Sequence, residues 1–211
     1  RRHRSDLDHD AVLALLIHDE LNPRSVRASL DRLQRAADAI DWTEADDEIE
    51  QWRAELFWRP DGQETERRVA VADFLVVHED VSEPAIALEA MSSDTAPFAD
   101  LFDGAELHES LDTEGFVGVV IVDRVEVDSA LRRNGLGPLL VAEALQRLGR
   151  GCAMAACSDS ATGGSTSSEV ERDRIRRMIR DFGFSEWRDG IWTLDLATTG
   201  LSATRTAIRE T

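Results

Sequence analysis

The stretch Val125 to Leu148, VEVDSALRRNGLGPLLVAEALQRL, places an apolar strand end, a turn rich in arginine and glycine, and an amphipathic helix in direct succession. Val125 and Val127 alternate as a strand does. Gly135 and Gly137 permit a tight backbone path on which no Cβ blocks a ligand. Pro138 suits the first helical position, where the donor it lacks has no partner anyway. A helix N-terminus with outward-pointing N–H groups, with Arg132 and Arg133 on its rim, attracts a phosphate or pyrophosphate. The other reading of Gly135 and Gly137 is an ordinary strand-to-helix turn.

Working outward on the C-terminal side, Gly149 ends the helix and Cys152 to Cys157 reads as the next strand. A right-handed crossover makes it parallel to the strand before it. The stretch Ser158 to Ser168 is rich in serine, glycine and threonine and reads as a loop. The helix from Glu169 to Phe182 carries Ile175, Met178, Ile179 and Phe182 on one face and several arginines on the other. Gly183 caps it. Phe184 to Arg188 and Ile191 to Leu196 form a hairpin about Asp189-Gly190, a strong turn pair. From Ala197 the chain reads as a loose tail.

On the N-terminal side, Phe116 to Val127 is an almost continuously apolar strand, expected to be buried on both faces. Glu106 to Glu114 reads as an acidic loop. Residues 84 to 103 give two short helices, each with a proline near its start (Pro84 and Pro97), and Phe98, Leu101 and Phe102 supply the apolar face of the second. Trp52, Ala54, Leu56 and Trp58 alternate with polar neighbours, Pro60-Asp61-Gly62 turns the chain, and Val69 to Val77 completes a hairpin. Asp41 to Glu50 is an acidic run and a domain boundary. Before it, residues 9 to 41 read as a helical hairpin, Val12 to Ile17 in the first helix and Val26, Leu30, Leu33, Ala37 and Ile40 in the second. Three units follow: a helical extension over 1–45, a main domain over 46–196 and a flexible C-terminal tail over 197–211.

The pattern V-x-V-x-x-x-x-R-x-x-G-x-G followed by an apolar helix resembles the acyl-CoA-binding motif of the GNAT superfamily of N-acyltransferases. The words DFGF-SEWRDG-IWTLDL resemble the end of that family's last helix and its final two strands, so the likeness covers about residues 116 to 196. It implies an α/β fold with a mixed sheet of the GNAT acyltransferase kind, here with an N-terminal helical hairpin. It also implies an acyl-CoA-dependent N-acyltransferase that passes acetyl from acetyl-CoA to an amine by direct attack. The pyrophosphate would be held at Arg132, Arg133, Asn134, Gly135, Leu136 and Gly137, and the pantetheine arm along Val125 and Val127. The family usually sets two helices and then a hairpin before its long strand, whereas here the hairpin precedes the helices. The phrase LLIHDELNPRSVRASLDRL also resembles a segment of the alpha-E helical domains.

The chemistry needs a base, an oxyanion donor and a proton for the departing thiolate. In the family a backbone N–H of the long strand meets the oxyanion, here that of Val127 or Glu126. The family's proton donor is commonly a tyrosine in the helix before G-F. Aligned on Gly183-Phe184, that position is Ile179, and the chain has no tyrosine. Cys157, Ser158, Ser160 or water could serve instead. For Cys157 the alternative is a buried strand residue. Glu126 and Asp123 are candidate bases. Their alternatives are an ion pair with Arg124 for Glu126 and a strand-edge hydrogen bond for Asp123.

A chain of 211 residues with 42% apolar content holds one medium domain and a small appendage. A net charge of −18 argues against nucleic acid and anionic membrane, and favours a cationic small-molecule or peptide amine as acceptor. All 24 basic residues are arginine. Two cysteines suggest neither a disulfide framework nor a zinc site, and the scattered histidines no metal. No run approaches the roughly 20 apolar residues of a membrane span, and the basic start lacks a signal-peptide core. A reducing cytoplasm fits, and a homo-oligomer is left open. The rival reading is a catalytically inactive module of the same fold that binds acyl-CoA or another protein.

Overall fold

The computed structural model describes residues 11–18, 49–59, 67–111, 118–132, 134–159, 169–188 and 190–196. Among the described residues, nine strands run in chain order as β1 (Ala11–His18), β2 (Glu50–Arg59), β3 (Arg67–His78), β4 (Phe102–Asp103), β5 (Glu106–Leu107), β6 (Gly118–Val127), β7 (Met154–Ser158), β8 (Ser185–Arg188) and β9 (Ile191–Asp195). Among them lie helices α1 (Pro84–Met91), α2 (Leu136–Leu148) and α3 (Glu169–Asp181). Seven strands form one sheet in the order β1-β2-β3-β6-β7-β9-β8, and β4 pairs with β5 alone. The sheet is mixed and mostly antiparallel, with β1 parallel to β2 and β6 parallel to β7.

Each face of the sheet carries its own core. One cluster joins Ala54, Leu56, Ala72, Phe74, Val120, Val122, Ala155, Cys157 and Trp192 to Leu140, Ala144 and Leu145 of α2 and Ile175 and Ile179 of α3. The other joins Leu75, Val77, Val119, Ile121, Met154, Ala156 and Ile191 to Leu88 of α1 and to Phe98, Leu101 and Phe102. Alternate residues of β3, β6 and β7 feed opposite clusters, which is why these strands read as apolar runs. Over β6, Gly118 to Val122 are buried, and beyond Asp123 exposed and half-buried residues alternate. The expectation of burial on both faces therefore holds for the first half of that strand only.

The hairpin of β2 and β3, the two short helical pieces, the parallel β6 and β7, and the terminal hairpin stand where the sequence put them. Gly183, at φ 108°, ends α3. There the Phe184 N–H donates to Ile179 O at 3.2 Å and the Gly183 N–H to Arg180 O at 2.9 Å.

Two expectations are corrected. The first helix of the N-terminal hairpin, Val12 to Ile17, is strand: Ala11 to His18 pairs in parallel register with Trp52 to Arg59. A short unbroken apolar run fits a buried strand as well as a helix, and a partner strand across the sheet decides it. The second helix, Val26 to Ile40, lies outside the described residues, as do the acidic run to residue 48, Ser160 to Ser168 and the tail from 197. The second correction concerns Pro138. The helix begins at Leu136, with Gly135 as its N-cap at φ 73°, so Pro138 takes the third helical position. Its missing donor is still one of the first-turn N–H groups that has no intrahelical partner.

Candidate functional site

Strands β6 and β7 pair from Val119↔Met154 to Val122↔Cys157, and the ladder ends there. β6 continues to Val127, paired from Arg124 onward with β3 alone. Its pairing shifts register between Asp73 and Phe74, which leaves Asp123 as the extra residue of a β-bulge. A bulge bends its strand and adds local twist, and this one stands immediately after the last rung shared with β7. The two strands part as a fork.

An apolar cleft, partly open to solvent, borders the fork. Val122 and Val125 of β6, Cys157 and Ser158 of β7, Gly137, Pro138 and Val141 of α2, Met178 and Ile179 of α3, and Phe182 just beyond it contribute to its lining. Ile179 is buried there at 5% exposure.

The N-terminus of α2 stands at the mouth of the cleft. No side chain caps it and its first turn carries no acidic residue. The left-handed conformation of Gly135 leads the backbone into the helix, and a Cβ there would meet nothing within 4 Å. A Cβ on Gly137 would meet Val127 Cγ2 at 3.4 Å and Val125 Cγ1 at 3.5 Å. Gly137 thus brings the helix down onto the strand. In the turn, Arg132 Nε donates to Val127 O at 3.2 Å and Asn134 Nδ2 to Leu131 O at 3.2 Å. The Asp128 carboxylate accepts from the Ala130 N–H at 2.9 Å and pairs with Arg67. The Ala130 N–H first, and then Arg67, hold its carboxyl below the usual carboxylate range. Arg133 lies outside the described residues.

The hydrogen-bond ladder decides which amides reach the cleft. Asp128 N–H donates to Val69 O at 2.9 Å, so that pair is a bonded one. Alternation along an antiparallel ladder then makes Glu126 and Val71 bonded and turns the main-chain groups of Val127 and Val125 to the open edge. Of the two expected oxyanion donors, the Val127 N–H faces the fork and the Glu126 N–H faces β3.

The two candidate bases differ in setting. Glu126 is exposed and ion-paired with Arg124. Asp123 is half-buried, and its pKa is raised, first by loss of solvation and then by the negative charges of Asp73 and Asp94, against a smaller pull from Arg124. Sequence reasoning did not bring Asp73 and Asp94 to this place; only the strand register and the position of the loop after α1 do. The Cys157 thiol is buried and pushed far up by that burial, with Asp159 adding to it. The Cys152 thiol is pushed up to about 11 by burial and by Glu50.

The raised pKa of Asp123 has a definite sign for stability. A carboxylate whose folded pKa exceeds its unfolded one contributes stability below the unfolded value, and this is lost as pH rises through the folded value. Asp123→Asn is therefore expected to raise Tm slightly at pH 7 and to leave it unchanged near pH 3. Thermal melts at the two pH values check this, and a lower Tm at pH 7 alone would refute it.

Among the described residues no group of three or more His, Cys, Asp or Glu is placed to hold a metal, and no helix is long and apolar enough to cross a membrane.

A family model for alpha-E, a predicted alpha-helical domain with a conserved ER motif, matches residues 1–93. That is less than half of the chain, and β1, β2 and β3 within it are strands. No curated protein matches the chain. Five chains of solved structures are similar to it, among them the following two. The crystal structure of the KacTA-DNA complex matches with a TM-score of 0.40 at 9% identity, over 91% of this chain and 89% of the other. That of AtaTR bound with AcCoA matches with a TM-score of 0.37 at 11% identity, over 71% and 69%. The first of these overturns the exclusion of nucleic acid drawn from net charge, since a chain similar to this one is found in a complex with DNA. Physically, a net charge is a sum over the whole chain, whereas a phosphate backbone meets one local face.

Proposed function

We propose that the chain is an acyl-CoA-dependent N-acyltransferase that passes acetyl from acetyl-CoA to an amine. The observation that carries this reading is the fork: β6 and β7 part beside an apolar cleft whose mouth is an uncapped helix N-terminus. A pyrophosphate suits the first-turn amides of α2 with Arg132 beside them, and an uncharged pantetheine arm suits the open edge of Val125 and Val127. The amine attacks the thioester carbon, the Val127 or Val125 N–H meets the oxyanion, and Asp123 takes the amine proton. Its raised pKa brings that carboxylate nearer to the basicity the task needs.

Calorimetric titration with acetyl-CoA is expected to give a Kd of about 10–100 μM, within the usual range for enzyme substrates. No heat at high micromolar concentration, from protein shown to be folded by circular dichroism, would refute the reading. A second reading, an acyl-CoA-binding module without turnover, is favoured by one observation: apolar Ile179 lines the cleft at the place of the family's tyrosine. Release of CoA above background hydrolysis with any of a broad panel of amines excludes it.

A further inference from the structure

The edge strand β8 carries a polar cluster that the acyltransferase reading leaves unused. Trp187, half-buried against the core under α1, meets the loop that follows β5. Its Nε1–H donates to Ser110 Oγ at 2.9 Å, and an indole nitrogen can only donate. The Ser110 hydroxyl proton then goes to His108 Nδ1, 2.9 Å away, and the Ser110 backbone N–H donates to the same nitrogen at 3.2 Å. Two donors on Nδ1 leave it no proton of its own, so the network assigns the ring proton to Nε2. Nε2 in turn faces Arg188, whose Nη2 lies 3.5 Å from it. Neither of these two atoms can accept, and the separation is long for a hydrogen bond. Arg188 is held in this pose with its Cζ 4.5 Å from the Trp187 ring centroid, and the His108 ring meets the same indole edge-on at 5.5 Å. Among the described residues Arg188 forms no ion pair with a carboxylate. Two N–H groups thus converge with no acceptor between them.

We propose that Arg188 Nη2 and His108 Nε2 form a binding site for a phosphate group. The site is separate from the cleft and independent of the acyltransferase reading. Trp187 packs against the cluster under α1, whereas Val122 and Cys157 at the cleft belong to the cluster on the other face of the sheet. Donors 3.5 Å apart suit one oxygen about 2.9 Å from each, or two oxygens of one tetrahedral group. Charge selects phosphate over carboxylate. A single pair of unit charges at an exposed position is worth little, whereas a phosphate monoester brings nearly two negative charges and three acceptor oxygens. The guanidinium fork holds further N–H groups for those oxygens. Without an anion the two N–H groups oppose each other; with one, the shared oxygens join β8 to the loop after β5.

The test titrates the full chain with inorganic phosphate, against acetate and chloride at equal ionic strength, and follows it by nitrogen-15 NMR. The Trp187 indole cross-peak, assigned with Trp187→Phe, and the His108 ring signals are expected to shift and saturate with a Kd of about 1–10 mM, at the weak end of the affinity scale. Both signals lie on the face away from α2, so phosphate taken up at the N-terminus of that helix does not produce them. Acetate and chloride are expected to give no saturating shift. Arg188→Gln changes an exposed residue and leaves the bond from Trp187 to Ser110 in place. It is expected to raise the Kd about tenfold or more, and Arg188→Lys, which keeps the charge without the fork, about threefold. A two-bond spectrum of the phosphate-free protein is expected to show the His108 proton on Nε2. A proton on Nδ1, an equal response to acetate, no saturation by about ten times the expected Kd, or an unchanged Kd in Arg188→Gln overturns the inference. Phenyl phosphate beside the inorganic ion identifies the source: tighter binding of the ester marks a phosphorylated ligand, tighter binding of the ion marks free phosphate, and the site stands in both cases.

Discussion

Titration of a Gly137→Leu protein with acetyl-CoA is expected to show no binding up to about 100 times the wild-type Kd, a loss of roughly 2.7 kcal/mol or more. The geometry separates the cleft from the fold. A Cβ at residue 137 reaches Val127 Cγ2 at 3.4 Å and Val125 Cγ1 at 3.5 Å, which is ordinary contact. Gly137→Ala is thus expected to fold with a Tm at or above that of the wild type, because alanine also suits a helix better. A leucine must carry its remaining carbons past that contact, and the empty space beside it is the cleft that Gly137, Pro138 and Val141 line. Gly135 provides the contrast. Its Cβ would meet nothing, but its φ of 73° costs an L-residue about 1–2 kcal/mol, so Gly135→Ala should weaken binding through the backbone path and stability together. A folded Gly137→Leu protein that binds acetyl-CoA with wild-type affinity would move the donor site elsewhere.

The turn that starts α2 was legible because its signals are local. Gly135 must supply a positive φ, Asp189-Gly190 must turn a hairpin, and Val125 and Val127 must alternate, whatever lies elsewhere in the chain. Strand β1 was not legible. AVLALLIH satisfies helix and buried strand alike, and what makes it a strand is pairing with residues 52–59, far along the chain. The site divides in the same way. Ile175, Met178, Ile179 and Phe182 show as an apolar helical face, but periodicity cannot tell which of them cover a core and which line a space. The structure gives Ile175 to the core alone and the other three to the cleft. Likewise Asp123 is one acidic residue in a strand until the register with β3 makes it a bulge. A bulge is a miscount between two strands, and a single strand carries no record of it.

Trp192→Ala is expected to be among the most damaging single changes, about 3–5 kcal/mol, with a fall in Tm on the order of 10 °C. Trp192 is 1% exposed in β9, paired with Cys157 on one side and Glu186 on the other, and its side chain lies in the cluster under α3. Arg180 covers the ring, its Cζ 5.5 Å from the centroid. The indole carries a cost that offsets part of this packing. Among the described residues its Nε1–H is buried with no acceptor in reach. A buried donor left unsatisfied costs about 1–3 kcal/mol. Trp192→Phe keeps most of the aromatic surface and removes that donor, so the two changes oppose each other and the net loss should be within about 1 kcal/mol. Urea denaturation of both variants decides it. If Trp192→Phe is as damaging as Trp192→Ala, the ring's second lobe holds the α3 interface by shape, and the buried N–H is not a cost the fold bears. If it is nearly neutral, the floor beneath α3 tolerates repacking beside Cys157, and the cleft that α3 covers can be reshaped from below without unfolding the sheet.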